Sequence, residues 1–270
     1  MSASTSGLRA DQARITHIGG PTALIEVGSL RFLTDPTFEP AGYHYSAGGQ
    51  EIRKTASPAL SAAEIGPVDA VLLSHDQHGD NLDPAGRAYL SQARQTLITP
   101  EGAQRLGGNA RGVATWESVE LTGADGFTVR VMATPARHGP ASVAPALAGA
   151  VTGWLLEWPG QRRGALYISG DTVLFEGMDV IPHHWPISLA VLHCGAARAE
   201  RFGPYDITLT GVEAAQVAKL LGDATIVPVH YEGWGHFTEG RAEIEQAFAA
   251  ENLAERLRFL PFGQPVTFDV

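Results

Sequence analysis

Residues 68–84 read Val68-Asp69-Ala70-Val71-Leu72-Leu73-Ser74-His75-Asp76-Gln77-His78-Gly79-Asp80-Asn81-Leu82-Asp83-Pro84, and the fold turns on how this stretch is parsed. Val68 to Leu73 has the apolar content of a buried strand. Asp83 followed by Pro84 supplies a helix N-cap with proline at the first helical position. The His- and Asp-rich segment between them is therefore a loop joining strand to helix. Imidazole and carboxylate suit zinc, manganese or iron, and two His with an Asp inside six residues can present several donors to one point.

Working outward, other strand-like runs end in the same way. Phe127, Val129, Val131 and Ala133 alternate with Thr128, Arg130 and Met132, the pattern of a strand with one buried face, and lead to Pro135 and His138. Trp154 to Trp158 and Ala165 to Ser169 flank Pro159-Gly160, which predicts a hairpin whose far end carries Gly170-Asp171. Ile187 to Leu192 ends at His193-Cys194, and Thr225 to Val229 ends at His230. Between them, Thr210 and Glu213 form a capping box for a helix reaching Leu221 and stopped by Gly222.

Upstream, Thr22 to Val27 and Leu30 to Thr34 predict a hairpin through Gly28-Ser29, halted at Asp35-Pro36. Phe38 to Pro58 has no period and reads as a long loop, in which Tyr43, His44 and Tyr45 are candidate lid residues. Ser61 with Glu64 predicts a short capped helix. The alternation of β and α segments gives an α/β class. Met1 to Arg14 reads as a flexible N-terminal tail without the apolar core of a secretory signal, leaving residues 15–270 as a single domain.

A lone His at a strand end is more often a hydrogen-bonded structural residue than a ligand, and Asp171 alone would serve equally well as an Asx-turn residue. Coincidence changes the weighing. His75, His78 and Asp80, then His138, Asp171 and His230, follow separate predicted strands, and strand ends on one edge of a sheet are where sites are assembled.

Composition narrows the chemistry. The 270 residues carry 19 basic and 29 acidic side chains, a formal net charge of −10, which disfavours nucleic acid as a partner. The single Cys194 excludes an intramolecular disulfide and a thiolate-rich zinc site, so a metal must be held by nitrogen and oxygen. A reducing cytoplasm fits this usage. No stretch approaches the roughly 18 apolar residues of a membrane span.

The order of His-rich loop, His138, Gly170-Asp171-Thr172 and Pro228-Val229-His230 resembles the metallo-β-lactamase-fold metallohydrolases over nearly the whole chain. His17-Ile18-Gly19-Gly20 through Leu24-Ile25-Glu26, with Leu33-Thr34-Asp35-Pro36, is similar to the branch of ascorbate-6-phosphate lactonases and N-acylphosphatidylethanolamine-hydrolysing phospholipases D. The resemblance implies a four-layer αββα sandwich, two mixed sheets packed face to face with helices outside. It also implies that the loop supplies ligands to one or two ions of zinc, or of manganese or iron, with His138 joining the first, Asp171 bridging both and His230 completing the second.

The family loop is H-x-H-x-D-H, and this chain is one residue longer. Aligned from the front, His75 is the first ligand and Gln77 falls where the second His belongs, with His78 able to take over through a bulge. Aligned from the back, Asp76 replaces the first His, His78 and Asp80 match, and Asn81 replaces the last. The expected ligands are His75, His78, Asp80, His138, Asp171 and His230.

A zinc-type ion with an open position lowers the pKa of bound water to about 7. The expected enzyme is a hydrolase in which metal-bound hydroxide attacks a small ester, lactone or phosphodiester. Asp80 would orient the water, and His236 heads Tyr231 and His193 as candidate leaving-group acid. Arg137, Arg198 and Arg201 are candidates to bind an anionic group. The competing readings are an iron-dependent oxidoreductase of the same fold and a degenerate binding protein without turnover.

Overall fold

In a computed structural model that describes residues 7–47, 50–142 and 148–270, the chain forms two large mixed sheets. The N-terminal half supplies β1 (Gln12–Gly19), β2 (Thr22–Val27), β3 (Leu30–Thr34), β4 (His44–Ala47), β5 (Gln50–Arg53), β6 (Ala70–Leu72), β7 (Thr96–Ile98) and β8 (Ala110–Gly112). The remainder supplies β9 (Ser118–Thr122), β10 (Thr128–Pro135), β11 (Thr152–Glu157), β12 (Ala165–Ile168), β13 (Ile187–His193), β14 (Thr225–Val229) and β15 (Val266–Asp269). The helices are α1 (Ala62–Ile65), α2 (Pro84–Tyr89), α3 (Pro100–Leu106), α4 (Val180–His184), α5 (Gly211–Leu220) and α6 (Arg241–Ala250).

One sheet runs β15-β1-β2-β3-β6-β7-β8 and the other β14-β13-β12-β11-β10-β9. Alternation explains how they face each other. Ala23, Ile25 and Val27 of β2 and Phe32 of β3 meet Val129, Val131 and Ala133 of β10 and Trp154 of β11 in one buried cluster between the sheets. The opposite parity, Leu24, Leu33, Val71 and Leu73, packs under α1, α2 and α3 with Ile65, Tyr89 and Ala103. On the far side, Leu155, Tyr167, Ala190 and Leu192 pack under α4, α5 and α6 with Ile181, Val217 and Phe248. The result is the αββα sandwich expected from the resemblance. β13 is buried along its whole length because both faces are covered, which is why it reads as a continuous apolar run rather than an alternating one.

Local signals behave as their chemistry dictates. Ser61 and Thr210 cap α1 and α5 with reciprocal Glu64 and Glu213 contacts, and Asp83 accepts the Gly86 amide at the start of α2. Three expectations shift. β1 begins at Gln12, so Gln12, Ala13 and Arg14 belong to the sheet rather than to a tail, because Ala13 is fully buried and this segment pairs with β15; residues 1–6 lie outside the described residues. The long early loop contains the β4–β5 hairpin, a separate two-stranded ribbon that shows no period tied to the main core. The His183-His184 pair, which the bracketing Pro182 and Pro186 predict to be a surface turn, forms the end of α4.

The parallel neighbours β3 and β6 in one sheet, and β12, β13 and β14 in the other, all run toward one edge of the sandwich. His193 ends β13, and Asp35, the His-rich loop, Asp171 and His230 follow the other strands closely.

Candidate metal centre

At this edge the side chains sort into two buried clusters. His75, His78 and His138 bring one nitrogen each to within 4.8 Å of one another, and Asp80, Asp171 and His230 do the same with their donor atoms. In the first cluster, His78 Nδ1 lies 2.8 Å from His75 Nε2 and 3.0 Å from His138 Nε2. Asp171 sits between the clusters, with Oδ2 3.8 Å from His138 Nε2 and Oδ1 3.6 Å from His230 Nδ1. Asp80 Oδ2 is 3.3 Å from His230 Nε2 and 2.9 Å from His236 Nε2.

The extra loop residue is absorbed between His75 and His78. His75, the first ligand in the front alignment, and His78 and Asp80, which match in the back one, all reach the two clusters. Asp76 points away and pairs with Arg105 of α3 at 2.5 Å, while Gln77 packs against Gly149. Asn81 is fully buried beside Ser74, at 3.5 Å from its hydroxyl.

The surroundings hold these side chains in place. His138 Nδ1 donates to the Ile207 carbonyl at 2.6 Å; since a carbonyl only accepts, a neutral His138 presents a lone pair at Nε2. Ser74 places its hydroxyl 2.9 Å from His75 Nδ1, and its amide donates to Asp35 Oδ1 at 2.7 Å. Asp35 and His230 both adopt positive φ, 27° and 57°, which costs a non-glycine residue about 1–3 kcal/mol and fits a tightly determined site. Sequence reasoning missed the Ile207 carbonyl, since a backbone acceptor 69 residues away leaves no residue-type signal. Ser74 was legible in principle, standing directly before the first His.

Burial dominates the electrostatics. It holds His78 down to about 4, His138 to about 3 and His75 well below the usual imidazole value, so all three rings are neutral at pH 7 and able to act as ligands. Burial also raises Asp171 to about 8, against the opposing pull of His193 and with help from Asp80 and Asp35. Asp80 is desolvated as well, yet His236 and His230 more than offset this and keep it well below the carboxylate range.

A divalent cation fits this donor set. Both Asp171 oxygens, both His230 ring nitrogens and Asp80 Oδ1 are buried without a hydrogen-bond partner, and a coordinated ion would satisfy the carboxylate oxygens and one of the two His230 nitrogens. Arg201 adds a condition. Its Nη2 lies 2.6 Å from His78 Nε2, and guanidinium only donates, so the His78 proton here sits on Nδ1 between the lone pairs of its neighbours. An ion would take that proton's place, and Arg201 would then have to release Nε2.

The remaining expected residues separate cleanly. His193 is buried and bonded to Asp35, and Tyr231 packs on Phe259 away from the ligands. Phe237 stacks edge-on with His230 at 4.6 Å and so walls the second cluster on that side. Tyr45 covers the His-rich loop: its ring leaves no room for a Cβ at Gly79, and its hydroxyl donates to the Gln77 carbonyl. Arg137 and Arg198 are paired with Glu176 and Asp206. Arg201 has no carboxylate partner among the described residues and lies 4.4 Å over Phe202. A cleft of about 360 Å³ has Ser46, Glu51, Ile52, Arg198, Glu200 and His236 in its lining, and through His236 it touches a neighbour of Asp80. A larger hollow of about 620 Å³ around Trp158 and Trp185 contains none of the His and Asp residues of the centre.

Residues 30–231 match the family model described as beta-lactamase superfamily domain. The chain belongs to this family. A UPF0173 metal-dependent hydrolase of Pelotomaculum thermopropionicum is 28% identical over 256 residues, covering 90% of this chain and 94% of that protein. Among solved structures, a possible metal-dependent hydrolase from Veillonella parvula superposes with a TM-score of 0.79 at 19% identity, over 94% of this chain and 99% of the other. An isothiocyanate hydrolase from Delia radicum gut bacteria gives 0.78 at 23% identity, over 95% and 100%. The fold is thus that of the superfamily, and an enzyme of the metal-dependent hydrolase class agrees with these relatives.

Proposed function

We propose that this beta-lactamase superfamily member is a metal-dependent hydrolase acting on a small ester, lactone or phosphodiester. The observation that carries the reading is the pair of buried clusters with Asp171 between them, in which neutral imidazoles and unpartnered carboxylate oxygens converge at one edge of the sandwich. His75, His78 and His138 would hold one ion and Asp80 and His230 a second, with Asp171 between them. Zinc suits the nitrogen-rich first set, and manganese suits the more oxygen-rich second. When bound, such an ion supplies Lewis acidity toward a carbonyl or phosphoryl oxygen and lowers the pKa of water.

The chain's own residues do the rest. Asp80 stays ionised between its two imidazoles, so it orients a water by accepting from it rather than storing its proton. Arg201, a cation without a carboxylate partner among the described residues, is placed to neutralise negative charge developing on the substrate. Tyr45 shields the His-rich loop from bulk water.

The net charge of −10 supports a small molecule over nucleic acid. Among the described residues no helix is long and apolar enough to cross a membrane. The buried thiol of Cys194 suits a reducing cytoplasm. The His17-Ile18-Gly19-Gly20 opening supports a place beside the lactonase and phospholipase D branch, hence the lactone and phosphodiester among the substrates.

The test is to strip the protein of metal, restore zinc or manganese, and assay a panel of esters, lactones and phosphodiesters beside His138→Ala. Metal-dependent turnover lost in the variant is expected. Metal-loaded protein inert toward the whole panel would overturn the reading.

A further inference from the structure

The second cluster is short of nitrogen. Where the resembled loop ends in His, this chain has Asn81, whose amide oxygen is buried without a hydrogen-bond partner. His230 is then the one imidazole grouped with Asp80 and Asp171 among the described residues. An amide oxygen is a poor substitute for imidazole on a zinc-type ion.

A different histidine stands at the same carboxylate. His236 Nε2 lies 2.9 Å from Asp80 Oδ2, and His230 Nε2 lies 3.3 Å from that same oxygen. Two donors each about 2.1 Å from a tetrahedral ion are about 3.4 Å apart, so His236, now hydrogen-bonded to Asp80, would have to part from it by only about half an ångström for both to share one cation with His230. His236 is nearly buried, its Nδ1 has no hydrogen-bond partner, and its ring is held by Phe237, which contacts both His236 and His230 at 4.6 Å. The backbone there is also fixed: the Arg198 amide donates to the His236 carbonyl at 3.1 Å, and Thr238 donates to Gly195.

We propose that His236 replaces the missing loop histidine and, with Asp80, Asp171 and His230, holds a second divalent ion. The ligand has moved from the loop after β6 to the segment after β14, and so approaches the ion from the cleft side. His236 is then a ligand and not the leaving-group acid expected from its place in the sequence. This inference rests on reading the edge of the sandwich as a metal centre.

The experiment titrates zinc into the stripped full-length protein by calorimetry, with bound zinc counted by mass spectrometry after desalting. Wild type is expected to take two equivalents. His236→Ala should keep the first and weaken the second by more than the roughly 10–100-fold that loss of a mere orienting partner costs. His236→Gln, which can still donate to Asp80, should behave like the alanine variant. Asn81→His in the His236→Ala background should restore the second equivalent, which an orienting role would not allow.

Two equivalents of unchanged affinity in His236→Ala, or full retention in His236→Gln, would overturn the assignment. One equivalent in wild type would overturn it while leaving the hydrolase reading standing. No zinc bound in wild type would overturn both.

Discussion

The Asp35 carboxylate accepts a hydrogen bond from His193 Nε2 at 3.0 Å, tying the end of β3 to the end of β13 across the two sheets. Its other oxygen receives the Ser74 amide, so one buried side chain fixes where the His-rich loop starts and where the opposite sheet ends. Asp35→Asn would set an amide N–H against the His193 N–H. Loss of this charge-assisted bond is expected to cost about 1.5–3 kcal/mol of stability. Zinc affinity should fall roughly 10–100-fold, because ligands are now less well oriented. Thermal melts and chelator competition check both, and an unchanged zinc affinity would show that Asp35 only terminates its strand.

Gly170 positions Asp171 by a different means. Its φ is 59°, and a Cβ there would meet the Thr152 carbonyl oxygen at 2.4 Å. Backbone cannot swing aside as a flexible side chain can. Gly170→Ala is therefore expected to destabilise the fold by about 1–3 kcal/mol through overpacking. Because the strain falls on the residue before Asp171, bound zinc should drop below one equivalent in the folded variant. Denaturant unfolding with parallel metal counting measures both effects; lowered stability with full metal content would separate Gly170 from the site.

Most of the candidate site was legible because strand ends converge. His138, Asp171 and His230 each close an apolar run, and runs that pack in one sandwich bring their ends to one edge. What the sequence could not show was the side on which each loop residue faces. Asp76 and Asp80 are equally acidic neighbours of histidines, yet Arg105, 29 residues on, claims the first, and only tertiary packing reveals it. The β4–β5 hairpin stayed hidden for a related reason, since its partner surface is the loop at Gly79 rather than a sheet face. The β1 start was obscured because Gln12 and Arg14 flank Ala13, too small an apolar signal to outweigh a polar N-terminal stretch.

Acid should destabilise the metal-stripped protein. His78 titrates near 4, His138 near 3 and His75 well below 6.5 when folded. Their stabilising contribution is complete above about 6.5, where neither state is protonated, and is lost as the pH falls toward those lowered values. Asp171, raised to about 8, works in the opposite sense: its contribution is complete below about 3.8 and lost as the pH rises through 8. Three imidazoles outweigh one carboxyl. Moving from pH 7 to pH 5 in the presence of a chelator should therefore lower unfolding stability by on the order of 3 kcal/mol. Urea unfolding at the two pH values measures it, and equal stabilities would mean that the rings are more hydrated than their burial implies.

Arg201 should weaken the first ion's binding while assisting turnover. Its Nη2 donates to His78 Nε2, which is compatible only with a proton on Nδ1, the atom that faces His75 and His138. An ion at Nδ1 sends that proton to Nε2, where two N–H donors would meet, so Arg201 must retract as metal enters. Arg201→Ala removes a competing hydrogen bond worth about 1.5 kcal/mol, and first-site zinc affinity is expected to rise roughly tenfold. Turnover of ester and phosphodiester substrates should fall at the same time, since the unpaired cation no longer offsets developing negative charge. Arg201→Lys, which keeps the charge but not the planar donor pair, should recover part of the turnover. The two readouts move in opposite directions only if the guanidinium alternates between His78 and substrate. A parallel loss of zinc affinity and turnover would instead make Arg201 a structural support of the His78 ring.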